Sequence, residues 1–274
     1  MKLNYTVPQL QEMAHSIRVD IVESLHAAGS GHPGGSLSAA EMLSVLFFHE
    51  MDVDPENPQW EDRDRFVLSK GHAAPVYYAA LAERGFFPKE WLTTLRKIDS
   101  PLQGHPDRKK VPGVDMSTGS LGQGISAAAG MACFAKKEGK PFRVYAIIGD
   151  GESQEGEVWE AMMSAAHYKL SNLTVFLDNN NLQIDGAVDQ VMSIYPIKEK
   201  CEAFGWHVVE ADGNDVEQLL AALELAQAET EKPTMIVCKT VKGKGVSYME
   251  NQAGWHGTAI NDAQYEVAMQ DLKG

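Results

Sequence analysis

Two short apolar runs rich in β-branched residues dominate the middle of the chain: Val144-Tyr-Ala-Ile-Ile-Gly-Asp-Gly151 and Leu173-Thr-Val-Phe-Leu-Asp-Asn-Asn-Asn-Leu-Gln-Ile-Asp-Gly186. A helix-like segment separates them, and each ends in small and polar residues. That pattern constrains the fold to a βαβ unit, whose ligands sit at the carboxyl ends of its strands. Asp150 and Asn180 then fall on neighbouring strand ends and face one ligand. A carboxylate, an amide oxygen and a backbone carbonyl such as that of Leu182 suit a hard cation like Mg2+, which fills its remaining positions with water and phosphate oxygens. Gly149 and Gly151 let the backbone approach a phosphate closely.

The rest of the chain continues the alternation. Thr6 opens a helix through about Ala28, with Leu10, Met13, Ile17, Ile21, Val22 and Leu25 as its apolar stripe. Gly29 to Ser36 is too glycine-rich for regular structure, and Ser36 or Ser38 is expected to cap a second helix from Ala39 to about His49. Arg65 to His72 reads as a strand, Ala73 to Arg84 as a helix, and Leu102 to Asp107 as a turn. Ser117 to Gly124 opens onto a small-residue helix from Ile125 to about Lys137, presenting backbone amides to an anion or a polar ring edge. Its glycine spacing is not that of a dinucleotide fingerprint, and no Walker A sequence occurs. Trp206–Glu210 and Thr234–Lys239 read as strands flanking a helix from Val216 to Ala228, and Gln264 onward reads as a terminal helix. The expected fold class is α/β, with a parallel sheet of about five or more strands covered by helices on both faces.

Composition narrows the function. A formal net charge of -14 argues against nucleic acid as a partner, and any phosphate must be held locally against that field. No apolar run is long enough to span a membrane, and the amino terminus shows no export signal, so a cytoplasmic location is expected. Cys133, Cys201 and Cys238 lie far apart, as expected for reduced thiols rather than a metal site.

Four of the nine histidines, His32, His72, His105 and His256, lie beside glycine in loops. Loops of this kind bring imidazoles into a cleft, where they can bond sugar hydroxyls and move protons near neutral pH. His15, His26 and His167 sit on helices and read as ordinary structural residues.

Gly149-Asp150-Gly151 followed by the Asn-rich strand end resembles the thiamine diphosphate motif. With the histidine loops added, the match is to the amino-terminal half of the transketolase family, over about residues 10–260. The resemblance implies a single diphosphate-binding domain over 1–274, with thiamine diphosphate and Mg2+, or Ca2+, as cofactors. It implies that Asp150, Asn180 and the Leu182 carbonyl bind the metal. Gly119, Ser120, Leu121, His72, Gly151, Lys242 and His256 would hold the cofactor, and His32, His105 and His256 would meet the substrate. Glu155 and Glu160 would link paired active sites across a dimer interface. Gly35 departs from the pattern, standing where some relatives carry a hydroxyl side chain.

The pyrimidine-binding and carboxyl-terminal domains of a full-length transketolase are missing from the chain. With them go the glutamate that activates the aminopyrimidine and the arginines that hold the sugar phosphate. The expectation is therefore the amino-terminal subunit of a split transketolase, inactive alone and assembling as α2β2 with a carboxyl-terminal partner. It would transfer a two-carbon ketol unit between sugar phosphates. Another thiamine diphosphate enzyme component, such as a deoxyxylulose-phosphate synthase or a 2-oxoacid dehydrogenase component, is the alternative within the same chemistry. A non-catalytic regulatory chain is the alternative outside it, and a fragment of a longer protein is a third.

Overall fold

Thr6 begins α1 (Val7–Ala28), its backbone N–H donating to Gln9 Oε1 at 2.9 Å, and Gly29 ends the helix with φ of 61°. The computed structural model describes residues 2–273. The glycine-rich run is more ordered than its composition suggests, because Pro33–Leu37 forms a short helix, α2. Pro33 supplies a preset φ at the first helical turn. α3 (Ala40–Val45) follows and widens into a π-helical turn over Leu46–Glu50. Neither serine caps it. Ser36 Oγ donates to the His32 carbonyl at 2.7 Å, and Ser38 Oγ donates to Asp178 at 2.6 Å.

β1 (Arg65–Leu68) is shorter than the expected strand, and His72 lies beyond it in a 3-10 turn leading into α4 (Ala74–Arg84). α5 (Gln123–Glu138), β2 (Val144–Gly149), α6 (Gly156–His167) and β3 (Leu173–Asn179) complete the central unit. A small hairpin, β4 (Leu182–Gln183) with β5 (Gly186–Ala187), precedes α7 (Val188–Val191) and α8 (Ile197–Ala203). β6 (His207–Asp212), α9 (Val216–Ala228), β7 (Thr234–Lys239) and α10 (Asp262–Lys273) follow.

Five strands form one parallel sheet in the order β1-β2-β3-β7-β6. Period-two side chains divide it into two cores. Tyr145, Ile147, Phe176, Ile236 and Cys238 pack with α1, α3, α4, α9 and α10 on one face. Val144, Ala146, Ile148, Val175, Leu177, Met235 and Val237 pack with α5, α6 and α8 on the other. After β3 the chain leaves toward the second face, and after β7 toward the first. Their loops therefore part at the carboxyl edge and leave a crevice there. Among the described residues no helix is long and apolar enough to cross a membrane.

Candidate active site at the carboxyl edge of the sheet

The crevice holds a cleft of about 240 Å³ whose wall includes Lys70, His72, Asp150, Asn180, Lys242 and His256. Strand register builds it. Gly149 pairs with Asp178 and Asn179 with Lys239, so Asp150 and Asn180 emerge side by side. Asp150 is buried, its carboxylate accepting from Gly151 N at 2.7 Å and from Asn181 N at 2.5 Å. Burial, then the neighbouring Asp178, push its pKa up to about 7. A carboxylate in that state favours a cation beside it. The Leu182 carbonyl completes the expected oxygen set, and here it accepts from the Lys242 ammonium at 2.9 Å. Among the described residues no cluster of three His, Cys, Asp or Glu could hold a metal. The only expected metal set is therefore the carboxylate, amide and carbonyl one.

Two buried hubs, neither anticipated from the sequence, support this wall. Asp178 accepts from Lys70 Nζ at 2.5 Å, from Ser38 Oγ at 2.6 Å, and from Thr240 Oγ1. Burial opposes its charge, yet Lys70 and these donors outweigh burial and lower its pKa. Lys70 also donates to the Gly35 carbonyl at 2.7 Å, tying α2 to the end of β1. Glu152 accepts from Ser69 Oγ at 2.5 Å and from the backbone N–H groups of Gly122 and Gly149 at 3.0 Å each. It thereby staples the loop before α5 to β2. The only sequence signal was a Lys just past a strand and an acid inside an apolar run, a pattern that surface turns share.

Three of the four loop histidines converge. His72 and His256 stack with ring centroids 5.0 Å apart, and His32 meets them edge-on at 5.2 and 5.4 Å. Lys242 Nζ lies 3.0 Å from His256 Nδ1. Burial is the main cause holding these imidazoles neutral, and nearby cations add to it. His32 and His256 are each lowered to about 4, and His72 is lowered further. Burial also lowers Lys242, to about 8. His32 Nδ1 is buried without a hydrogen-bond partner. His105 stands apart, exposed and outside the cleft lining, and its carbonyl accepts from Tyr78 Oη at 3.0 Å.

The remaining expected residues divide. Leu121, Gly151 and Glu155 line the cleft. A Cβ on Gly119 would come within 3.0 Å of the His105 ring, so that loop abuts the histidine wall. Ser120 is exposed and outside the cleft lining, and Glu160 is exposed on α6, in a groove between α5 and α6. His26 is structural, as expected, bonded to Asp262 at 2.9 Å and stacked on Tyr265.

This set fits a metal-bound diphosphate. Two ammonium groups, neutral imidazoles and the side-chain-free backbone of Gly35, Gly149 and Gly151 line one space. Asp150 and Asn180 place hard oxygen atoms beside it, of the kind a hard cation takes, and the unpartnered His32 Nδ1 leaves a polar atom for a bound group.

Comparison with known proteins agrees with this reading. The family model for transketolase, thiamine diphosphate binding domain, matches residues 9–273. The chain is 44% identical over 264 residues to a 6-deoxy-6-sulfo-D-fructose transketolase subunit from Clostridium sp. (strain MSTE9), covering 96% of each. It is 40% identical to one of the subunits of an apulose-4-phosphate transketolase from Actinobacillus succinogenes, covering 98% of each. The crystal structure of Campylobacter jejuni transketolase superposes with a TM-score of 0.92 at 34% identity, over 98% of this chain but 43% of that one. Human transketolase likewise matches over only 42% of its length. Cleft, sheet and sequence thus agree that the chain belongs to the transketolase family, as its thiamine diphosphate-binding domain.

Proposed function

We propose that the chain is the amino-terminal subunit of a split transketolase, moving a two-carbon ketol unit from a ketose phosphate to an aldose phosphate. The observation that carries this is the convergence of His32, His72 and His256 on a cleft that also holds Lys70, Lys242, Asp150 and Asn180. A cofactor-binding regulatory chain has no need of substrate-facing imidazoles such as His32 and His105.

Asp150, Asn180 and the Leu182 carbonyl would hold Mg2+ or Ca2+, with the Lys242 ammonium leaving that carbonyl for a phosphate oxygen. His72, His256, Gly151 and the Gly119–Leu121 loop would hold the cofactor. When bound, thiamine diphosphate supplies a carbanion able to attack the donor carbonyl. His32 and His105 bind and orient the sugar oxygens. Because burial keeps His32 neutral, it exchanges protons without carrying fixed charge into the cleft. Glu155, exposed at the cleft, and Glu160, exposed on α6, would connect the sites of two copies.

The pyrimidine-binding half comes from a carboxyl-terminal partner in an α2β2 assembly, in the cytoplasm. The two split-enzyme relatives are named for a sulfosugar and for apulose 4-phosphate, so the ketose here extends beyond ordinary pentose phosphates to branched or anionic ketoses of that class. The test mixes this chain with its candidate partner, thiamine diphosphate and Mg2+, and assays ketol transfer. Activity in the mixture and in neither chain alone supports the reading. A tight complex without transfer from any ketose tried, under conditions where cofactor is bound, would sink it.

A further inference from the structure

Apart from Lys70 and Lys242, one more cation lies near the histidines. Arg96 adopts a left-handed backbone (φ 61°), and its N–H donates to the Leu102 carbonyl at 2.8 Å. Thr94 Oγ1 and Ser100 Oγ lie 2.7 Å apart, and Ser100 Oγ accepts from Leu102 N at 3.1 Å, closing the loop on itself. A Cβ on Gly104 would stand 2.8 Å from Arg96 Nη2, and one on Gly31 would stand 3.8 Å from Nε. The guanidinium therefore lies against the backbone of Gly104, in a space that a Cβ there would fill, and within contact distance of Gly31.

Its electrostatic neighbours include Tyr78, His32 and His105, and it disfavours the protonated form of both imidazoles, second only to burial. Lys70 and Lys242 act on His72 and His256, and Lys242 reaches His32 more weakly than Arg96 does. Lys70 and Lys242 are buried, whereas Arg96 is half-buried. The guanidinium makes no hydrogen bond or ion pair among the described residues, although the sequence carries 38 carboxylates against 24 Lys and Arg. With no carboxylate holding it, a guanidinium can give its planar fork of N–H donors to neutral oxygens.

We propose that Arg96 is a substrate-contacting specificity residue, its guanidinium fork donating to the vicinal oxygens of the α-hydroxy ketone on the wall formed by His32 and His105. The inference rests on the ketol-transfer reading above and names a group that reads the ketol itself.

The test compares wild type, Arg96→Ala and Arg96→Lys in the reconstituted two-chain enzyme. In Arg96→Ala, kcat/KM for ketol transfer falls by about 10- to 100-fold, as expected for lost hydrogen bonds from a charged group. Thiamine diphosphate affinity stays unchanged. Arg96→Lys recovers part of the loss, since it restores charge without the fork. Unchanged kcat/KM in Arg96→Ala overturns the proposal, as does a parallel loss of cofactor affinity, which would make Arg96 a prop for its loop. If the wild-type mixture transfers no ketol, the transketolase reading itself has failed, and a binding measurement decides for Arg96. Dihydroxyacetone is titrated into this chain while the imidazole resonances of His32 and His105 are followed by NMR. A response in wild type that Arg96→Ala abolishes supports the contact. An equal response in both, or none in wild type, overturns it.

Discussion

His32, His105 and Asp150 show how burial assigns different tasks to neighbouring groups. Replacing exposed His105 by Ala should lower kcat/KM on the order of 100-fold while leaving cofactor binding and the pairing of the two chains intact. Steady-state kinetics beside gel filtration would show this, and full activity in the variant would remove His105 from the site. Asp150→Asn should weaken Mg2+-dependent cofactor binding on the order of 100-fold or more, since it removes a charged ligand rather than an outer support. Isothermal titration with and without Mg2+ checks it. The pH response has a definite sign. Burial sets the folded pKa of His32 at about 4, below the ordinary 6.5, so the unfolded chain takes up the proton first. Stability that is complete above pH 6.5 is lost as pH falls toward 4. Buried Asp20 and Asp150, each raised to about 7, push the other way, so the diagnostic is the difference from His32→Gln. Relative to that variant, wild type should lose urea stability between pH 7 and pH 5. The His32, His72 and His256 cluster was legible in sequence because glycine flanks each histidine. Lys70, Asp178 and Glu152 were not, because their roles arise from partners 30 to 140 positions away and leave no local pattern.

At the level of elements, strands and long helices read clearly, since β-branched runs and apolar periodicity mark them and burial on both faces of the sheet reinforces the pattern. α9 carries its own N-cap, Asp215, whose carboxylate accepts from Glu217 N and Gln218 N at 2.9 and 3.1 Å. α2 was obscured because glycine content argues against helix, whereas Lys70 holds that turn from outside and Ser36 bonds back to the His32 carbonyl within it. Contacts between elements are equally silent in sequence. Gly124, near the start of α5, packs so closely on β1's end that a Cβ would lie 2.4 Å from Ser69 Oγ and 2.6 Å from Ser69 Cα. Gly124→Ala should cost about 1–3 kcal/mol through overpacking, despite the higher helix propensity of alanine. A lowered urea midpoint with unchanged slope is the expected signature, and a raised midpoint would show that the helix shifts freely. Lys70→Met leaves Asp178 buried without its cation and should cost about 3–5 kcal/mol.

For the whole molecule, the cleft draws residues from both cores: Gly35, His72, Lys242 and His256 from loops leaving one face, Leu121, Glu152 and Glu155 from the other. The domain was legible as a unit because its motifs follow one another in order along nearly the whole chain. How the cleft closes was not, since that depends on a surface another chain would complete. The charge distribution has a kinetic consequence. The exterior gives the chain a formal net charge of -14, while the cations that await a diphosphate, Lys70 and Lys242, are each only 2% exposed. An approaching polyanion meets a repulsive far field and finds attraction only within the last few ångströms. At physiological ionic strength that far field is damped over about 8 Å. Added monovalent salt should therefore speed the capture of thiamine diphosphate, the reverse of ordinary electrostatic steering. Stopped-flow traces in dilute and physiological buffer would reveal this directly, and a slower encounter in salt would mean that the cations deep in the cleft govern the approach from afar.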